Sequence, residues 1–280
     1  MNSETRSAGH GLPRNLLMRC VWLLALFGGL GGCQPSKTTH PEAAGADTTQ
    51  TSALPQLLGQ ALEAHGGLER WQHQQQLDFD LYRQNQRVDH QRIALKSRKV
   101  LLSSDTYKIG YDGADHWISP DTAAFEGDVR FYHNLQFYFM ALPFLFADPG
   151  VRYEVLEPRN FQGKQYDVLR ITFAPGVGDA SDDEYVAYLD RDSHQLTLLL
   201  YTVTYFSGQP GQEYNARWYQ EWQEVNQLLL PQKVVSYRWT HDALGEERGT
   251  TEYRNVALSE IPPDESQFLM PTRAQSVHRP

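Results

Sequence analysis

No residue from Phe131 to Ala147 carries a formal charge when His133 is neutral, although 21% of the whole chain is Asp, Glu, Lys or Arg. Four residues of this segment stand at helical spacing: Leu135, Tyr138, Phe139 and Leu142. Apolar side chains also fill its other faces, and a helix that is apolar all round has to be buried. A membrane-spanning helix needs about 20 mostly apolar residues, a length that Pro143 interrupts here. The segment, which ends at the Asp148-Pro149-Gly150 turn, is therefore predicted to be a helix or broken helix inside the fold.

The segments on both sides of it have the pattern of β-strands. Leu77, Phe79 and Leu81 alternate with polar residues, which is typical of a strand with one wet face. Similar runs recur along the chain and are joined by hairpin turns without helical crossovers, a pattern that predicts an antiparallel meander. An amphipathic helix precedes them and ends at Gly66-Gly67.

The predicted fold class is mainly β (α+β). Residues 54–270 are expected to form a curved antiparallel meander or unclosed β-barrel of about nine to eleven strands. The sheet would wrap around the N-terminal amphipathic helix and the central apolar helical insertion, because these are the elements able to fill its concave face. Residues 271–280 are predicted to be a disordered tail.

This arrangement resembles that of the bacterial lipoprotein-localisation factors, the periplasmic carrier and its outer-membrane receptor. The resemblance implies an unclosed β-barrel around helices, with an apolar cavity for acyl chains. Short motifs also resemble a family of uncharacterised bacterial envelope lipoproteins: His65-Gly66-Gly67 with Trp71, Tyr111-Asp112-Gly113 with Trp117, Leu142-Pro143-Phe144, and Trp222 with Leu229-Leu230-Pro231. That second resemblance implies no activity.

The N-terminus has the features of a signal peptide. Arg6, Arg14 and Arg19 precede an apolar run, and small residues follow it up to Cys33. Leu30-Gly31-Gly32-Cys33 resembles the bacterial lipobox, which implies that residues 1–32 are removed and that Cys33 is lipidated. An ordinary signal peptide followed by an unmodified cysteine is the alternative.

Residues 33–53 are predicted to be the lipidated cysteine and a flexible linker, because they contain Thr, Ala, Ser and Pro but no large apolar residue. The formal net charge is −9, and removal of the signal peptide makes it more negative, so a nucleic-acid partner is not expected. Attachment to the membrane would depend on the acyl chains. Gln34, after the cysteine, is not the aspartate that retains lipoproteins at the inner membrane of enteric bacteria, so the expected location is the outer membrane, facing the periplasm, if the host has one.

The sequence predicts neither a catalytic site nor a cofactor. Its ten histidines form no HxH or HExxH pair, and a G-x-S-x-G motif is missing. Asp179, Asp182, Asp183 and Glu184 could ligate calcium, but they lack the alternating spacing of an EF-hand and are better interpreted as a solvated loop. A hydrolase would need titratable groups that converge in the concave face.

Large side chains on both faces of the late strands suggest an apolar pocket between the sheet and the central segment. An equally weighted alternative is that helices cover one face while the other contacts a partner. The function predicted is a non-enzymatic, lipid-anchored envelope lipoprotein that binds a lipid or other apolar ligand; the alternative is a structural or interaction module with a packed interior and an unidentified protein partner. The candidate pocket residues are Phe79, Leu81, Phe137, Phe139, Phe144, Trp218 and Trp222.

Overall fold

The computed structural model describes residues 54–178, 180–208 and 213–278. The predicted signal peptide, Cys33, the linker, Asp179 and the last two residues lie outside the described residues. Three α-helices are present in the described part: α1 Gln56–Ala64, α2 Leu68–His73 and α3 Val129–Met140. No helix in these residues is long and apolar enough to cross a membrane.

The rest of the fold is a single antiparallel sheet of thirteen strands. In chain order the strands are β1 Gln76–Arg83, β2 Gln86–Ala94, β3 Val100–Ser103, β4 Lys108–Tyr111, β5 His116–Ser119, β6 Val151–Phe161, β7 Lys164–Phe173, β8 Tyr185–Asp190, β9 Leu196–Tyr201, β10 Asn215–Val225, β11 Leu228–Thr240, β12 Ala243–Ser259 and β13 Gln275–Val277.

The sheet consists of two meanders that meet in its middle. β1 to β5 form one meander, and β6 to β12 form a second meander that returns until β12 pairs with β1. β13 adds to β5, so the two edges of the sheet are β13 and β6. Because these edges do not pair with each other, the sheet remains open. The predicted mainly-β fold with an unclosed barrel is confirmed.

The strand number and the C-terminal tail differ from the prediction. The sheet has thirteen strands instead of about nine to eleven, because the short runs β5 and β13 also pair. Gln275, Ser276 and Val277 pair with Ile118, Trp117 and His116, in a region predicted to be disordered. The sequence does not predict this strand, because three residues between polar neighbours are too few to show an alternation. They are ordered because they pair with the edge of β5 that would otherwise be free.

α3 lies in the connection between β5 and β6. β6 is one edge of the sheet and β5 lies next to the other edge strand, β13, so this connection crosses the width of one sheet face. α3 begins at Val129, where the Asp128 carboxylate accepts a hydrogen bond of 2.8 Å from the Phe131 amide and caps the first turn. It ends before Pro143, and a 3-10 helix follows at Phe144–Ala147. The predicted broken helix is therefore present.

The other face of the sheet carries a second, smaller apolar cluster. Three strands separate β6 from β10, yet the rings of Phe161 and Trp218 lie 5.5 Å apart, so the end of β6 bends over this face. A register shift between Leu156 and Arg159 marks the bend. The buried members are Phe161, Tyr166, Val168, Val186, Tyr188, Leu198, Leu200 and Ala216. Large side chains on both faces are thus explained by two cores.

The segment after α3 is held in the main core by aromatic packing. The ring of Phe144 is 1% exposed and stacks on Trp71 at 4.8 Å, with an angle of 9° between the planes. This contact joins the 3-10 helix to α2. It thereby connects the N-terminal helices with the central segment.

We predict that Phe144→Ala lowers the free energy of unfolding by about 3–5 kcal/mol, because it leaves a cavity beside Trp71 that the surroundings cannot fill. Phe206→Ala is the matched control, since Phe206 is 67% exposed, and it should cost less than about 1 kcal/mol. Urea unfolding of both variants measures the difference. Equal destabilisation by the two substitutions would show that Phe144 does not anchor the segment.

A buried histidine closes α1. The His65 Nδ1 donates a hydrogen bond of 2.7 Å to the Ala61 carbonyl oxygen, while its ring lies 4.7 Å from Trp222, edge to face. Burial lowers the pKa of His65 from 6.5 to about 4, against the hydrogen bond to Ala61, which raises it. The imidazole is therefore neutral at physiological pH.

Because the folded state holds His65 neutral, the unfolded chain takes up its proton at a higher pH than the folded protein does. The contribution of His65 to the free energy of unfolding should be complete above pH 6.5. It should fall by about 3 kcal/mol as the pH is lowered to 4. In the His65→Asn variant the amide can keep the bond to Ala61, and this part of the acid-induced loss should disappear. His73→Asn, at an exposed histidine, should leave the loss unchanged. Urea unfolding from pH 4 to 7 measures the loss of stability. Identical pH profiles for the unchanged protein and the two variants would contradict the assignment of this loss to His65.

Candidate functional site

A cavity of about 120 Å³ lies between α3, the 3-10 helix that follows it and the sheet half formed by β6 to β9. Two loops complete it, the one after β7 and the one after β9. Its lining is Arg130, Phe131, Asn134, Leu135, Tyr138, Phe139, Leu145, Asp148, Val151, Phe173, Val177, Gly178, Ala180, Asp183, Tyr185, Tyr201, Thr202, Val203 and Tyr205. Aromatic and aliphatic side chains dominate this set, as in sites for apolar ligands.

The mouth of the cavity is aromatic. The ring of Phe131 lies 5.3 Å from that of Tyr205 and 4.9 Å from that of Phe206. Phe206 is 67% exposed, so an apolar surface continues from the cavity wall to solvent. Such a surface is where an apolar ligand would first make contact.

The loop after β9 forms because side chains compete with the sheet for backbone hydrogen bonds. The run from Leu196 to Phe206 is rich in β-forming residues and predicts one strand, but β9 ends at Tyr201. Thr202 Oγ1 accepts a hydrogen bond of 2.9 Å from the Glu184 amide, and the Thr204 amide donates to Asp183 at 2.6 Å. These bonds, together with that from the Thr202 amide to the Glu184 carbonyl oxygen, hold the loop against the residues that precede β8.

Two carboxylates stand at the rim of the cavity. Burial raises the pKa of Asp148, although Arg98 at 2.7 Å acts against it. Burial also raises the pKa of Asp183, and its hydrogen bonds with Thr204 oppose the change. Together with Arg130 they are the charged groups of the lining, so the rim holds more acidic than basic side chains.

Several polar contacts fasten the buried face of α3 to the sheet. Asp89, which is fully buried on β2, accepts hydrogen bonds from Tyr132 at 2.7 Å and from Tyr107 at 3.1 Å. Burial raises the pKa of Asp89 against hydrogen bonds from Gln91, Tyr132 and Tyr107. Farther along the helix, the Tyr219 hydroxyl donates to the Phe139 carbonyl oxygen at 3.1 Å. α3 is therefore held by directional bonds as well as by apolar packing.

A buried arginine lies directly behind the cavity wall. Arg217, on β10, is 7% exposed, and its guanidinium carbon is 4.2 Å from the centre of the Phe139 ring. It is 5.9 Å from the centre of the Tyr201 ring. Both rings line the cavity, so one layer of side chains separates the cation from the empty space.

Of the seven predicted pocket residues, Phe139 lines this cavity. Phe79, Leu81, Phe137 and Phe144 are core residues with at most 3% exposure. Trp222 stacks on Tyr219 at 5.3 Å, at the α1 end of the same core.

Trp218 lies on the opposite face, in the second cluster, although its spacing from Trp222 predicts a shared face. Register shifts on both sides of Glu221 insert a bulge in β10, which reverses the side-chain alternation before Trp222. No sequence pattern marks this bulge. The lining residues that the sequence missed come from α3 and the segment after it, from the strands β6 to β9 and from the two loops, one of which the sequence predicts as part of a strand.

The carboxylates considered for calcium point to different partners. Asp183 is hydrogen-bonded to the Thr204 amide, and Glu184 lies 3.5 Å from Arg170 and accepts a bond from the Tyr214 hydroxyl. Asp179 lies outside the described residues. In the described parts of the chain, no group of three or more His, Cys, Asp or Glu side chains is arranged to hold a metal ion.

No protein-family model and no curated protein sequence matches the chain. Among solved structures, a DUF1329 family protein from Desulfovibrio piger is 12% identical, with 75% of this chain and 97% of that chain covered and a TM-score of 0.43. A LolA superfamily protein from Nitrosomonas europaea is 12% identical over 76% and 96% of the two chains, with a TM-score of 0.39. A domain assigned to outer membrane lipoprotein sorting, from Vibrio parahaemolyticus, is 10% identical over 75% and 97%, with a TM-score of 0.35. The fold-level resemblance that the sequence predicts is found in these neighbours, and at such identities and TM-scores it carries no conclusion about ligand or activity.

Proposed function

We propose that this protein is a lipid-anchored lipoprotein of the bacterial envelope that binds an acyl chain or another apolar ligand beneath α3. The observation that carries the proposal is the cavity itself, an apolar, aromatic-lined space between the central segment and the sheet. A central segment that packed flush against the sheet would favour the alternative, a structural module with a filled interior. The space under α3 favours a binding protein.

The size of the cavity defines how binding would proceed. A cavity of about 150 Å³ accommodates a benzene ring, and ligand pockets commonly measure about 300–1,000 Å³. At about 120 Å³ the space under α3 holds only a few carbons of a chain. A longer ligand therefore requires α3 or the side chains of the mouth to move outwards.

The connection of α3 permits such a movement. It spans from β5 to β6 as a crossover, so its displacement breaks no strand pairing of the sheet. The turns at Pro143 and at Asp148-Pro149-Gly150 separate it from β6 and are the natural limits of the moving part. The contacts to be broken include the hydrogen bond from Tyr132 to Asp89.

We predict that Val151→Trp weakens the binding of a fluorescent fatty acid by about tenfold or more, because the indole fills space that the ligand needs. Val151 lines the cavity at the start of β6. Val155→Trp is the matched control, since Val155 lies on the same strand and is 62% exposed, and it should bind as the unchanged protein does. Fluorescence titration of purified protein gives the affinities.

Two results would overturn the proposal of an apolar ligand. One is that the unchanged protein, purified from a bacterial envelope, carries no lipid by native mass spectrometry and binds no fluorescent fatty acid. The other is that Val151→Trp and Val155→Trp bind the fatty acid with the same affinity.

The lipid anchor is tested separately. We predict that Cys33→Ser abolishes incorporation of labelled palmitate and moves the protein from the membrane fraction to the soluble fraction, because the acyl chains supply the membrane affinity. Cys20→Ser serves as the control and should leave both properties unchanged, since it precedes the lipobox-like motif. Palmitate incorporation into the Cys33→Ser protein would show that lipidation occurs elsewhere.

A further inference from the structure

Arg217 is a buried cation without an acidic partner. Its Nη1 donates a hydrogen bond of 2.7 Å to Ser236 Oγ, while its Nε has no partner. It also forms a hydrogen bond with the Tyr201 side chain, and the hydroxyls of Tyr253 and Tyr219 lie near it. Burial raises the pKa of Tyr219 and Tyr253, so these hydroxyls are neutral at physiological pH. In the part of the chain that the structure describes, no carboxylate forms an ion pair with Arg217.

Such an arrangement is costly for a protein. Arginine stays protonated in proteins, so burial cannot neutralise it as it does a lysine or histidine. Removal of a charge from water costs several kcal/mol unless an opposite charge and hydrogen bonds compensate. Here the hydroxyls of Ser236 and Tyr201 and the face of Phe139 compensate, but no opposite charge does. The guanidinium therefore retains unused capacity for an anion.

The position of Arg217 relates this capacity to the cavity. Phe139 covers the guanidinium on one side and faces the cavity on the other, as does Tyr201. For an anion in the cavity to reach the guanidinium, the Phe139 ring would have to move aside. An anionic group that entered the cavity would then meet a fixed cation at its deep end.

From these contacts we propose that the ligand is an anionic, single-chain amphiphile whose carboxylate pairs with Arg217 and whose tail extends towards the aromatic mouth. This inference rests on the proposed function, since it names the chemical class of ligand for the same cavity. A carboxylate matches the fork of the guanidinium, which can donate two parallel hydrogen bonds.

A second cation, Arg130, also lines the cavity, at its rim. It shares the lining with Asp183, which opposes the approach of an anion, and with Asp148, whose charge is compensated by Arg98 at 2.7 Å. Arg217 faces tyrosines and a serine instead. The charges therefore favour the deep position over the rim for a carboxylate.

The test compares dodecanoate with dodecanol, which share a chain and differ in the charge of the head group. In the unchanged protein we expect dodecanoate to bind about 10- to 100-fold more tightly, the usual contribution of a hydrogen bond to a charged group. Calorimetric titration at neutral pH gives the two affinities, with both ligands kept below the concentrations at which they aggregate. Equal affinities would overturn the inference and leave the proposed function intact, whereas absence of binding by both ligands would overturn the proposed function as well.

Two variants locate the carboxylate. Arg217→Met removes the cation but keeps an unbranched apolar side chain, and it should reduce the ratio of the two affinities to about one while dodecanol binds as before. Arg130→Met should leave the preference for dodecanoate unchanged. The assignment of the carboxylate to Arg217 would be overturned by either of two results. One is that only Arg130→Met loses the preference for dodecanoate, and the other is that Arg217→Met binds both ligands more weakly by the same factor. If Arg217→Met does not fold, Arg217→Lys keeps the charge without the fork and is expected to retain a reduced preference, and an unchanged preference in that variant would contradict the two-bond geometry.

Discussion

The packing of α3 across one face of the open sheet is the constraint on which the rest of the structure depends. The two meanders of the sheet are joined at β1 and β12, and their outer edges are bridged only by the segment that contains α3 in the described chain. That segment is apolar and has to be covered, and an open curved sheet has a face that has to be filled. Each element satisfies the requirement of the other. The cavity exists where this mutual filling is incomplete, beside β6 to β9.

The contacts under α3 are not uniform along the helix. Near its start, Asp89 binds two tyrosine hydroxyls, and near its end Arg217 stacks on Phe139. The two charged side chains are thus engaged with neutral groups rather than with each other. A core made only of hydrocarbon would pack α3 with fewer unsatisfied groups. Polar contacts of this kind lose less free energy than apolar packing when a helix moves and water enters, so they would favour the opening that the proposed ligand requires.

The sequence predicted much of the architecture and little of the site. The spacing of Leu135, Tyr138 and Phe139 predicts the buried helix, because apolar residues three and four positions apart lie on one face of a helix. The cavity lining could not be predicted in the same way, since Val177 and Val203 come from loops whose course depends on bonds such as that between Thr204 and Asp183. Trp218 was assigned to the wrong face because a bulge reverses the alternation of β10. Arg217 follows that alternation, but alternation alone does not reveal which face is buried.

The buried arginine gives the cavity a direction. A cavity with uniform hydrocarbon walls would accept an apolar molecule in either orientation, whereas a cation at the deep end and aromatic rings at the mouth distinguish the two ends of an amphiphile. The same side chain is buried without a carboxylate partner in the described chain, and its Nε has no hydrogen-bond partner. Functional sites commonly retain such unfavourable groups where a ligand completes them. An anion that binds Arg217 would therefore stabilise the folded protein by more than its apolar contacts alone provide. The ligand-free and ligand-bound proteins would differ most around Phe139.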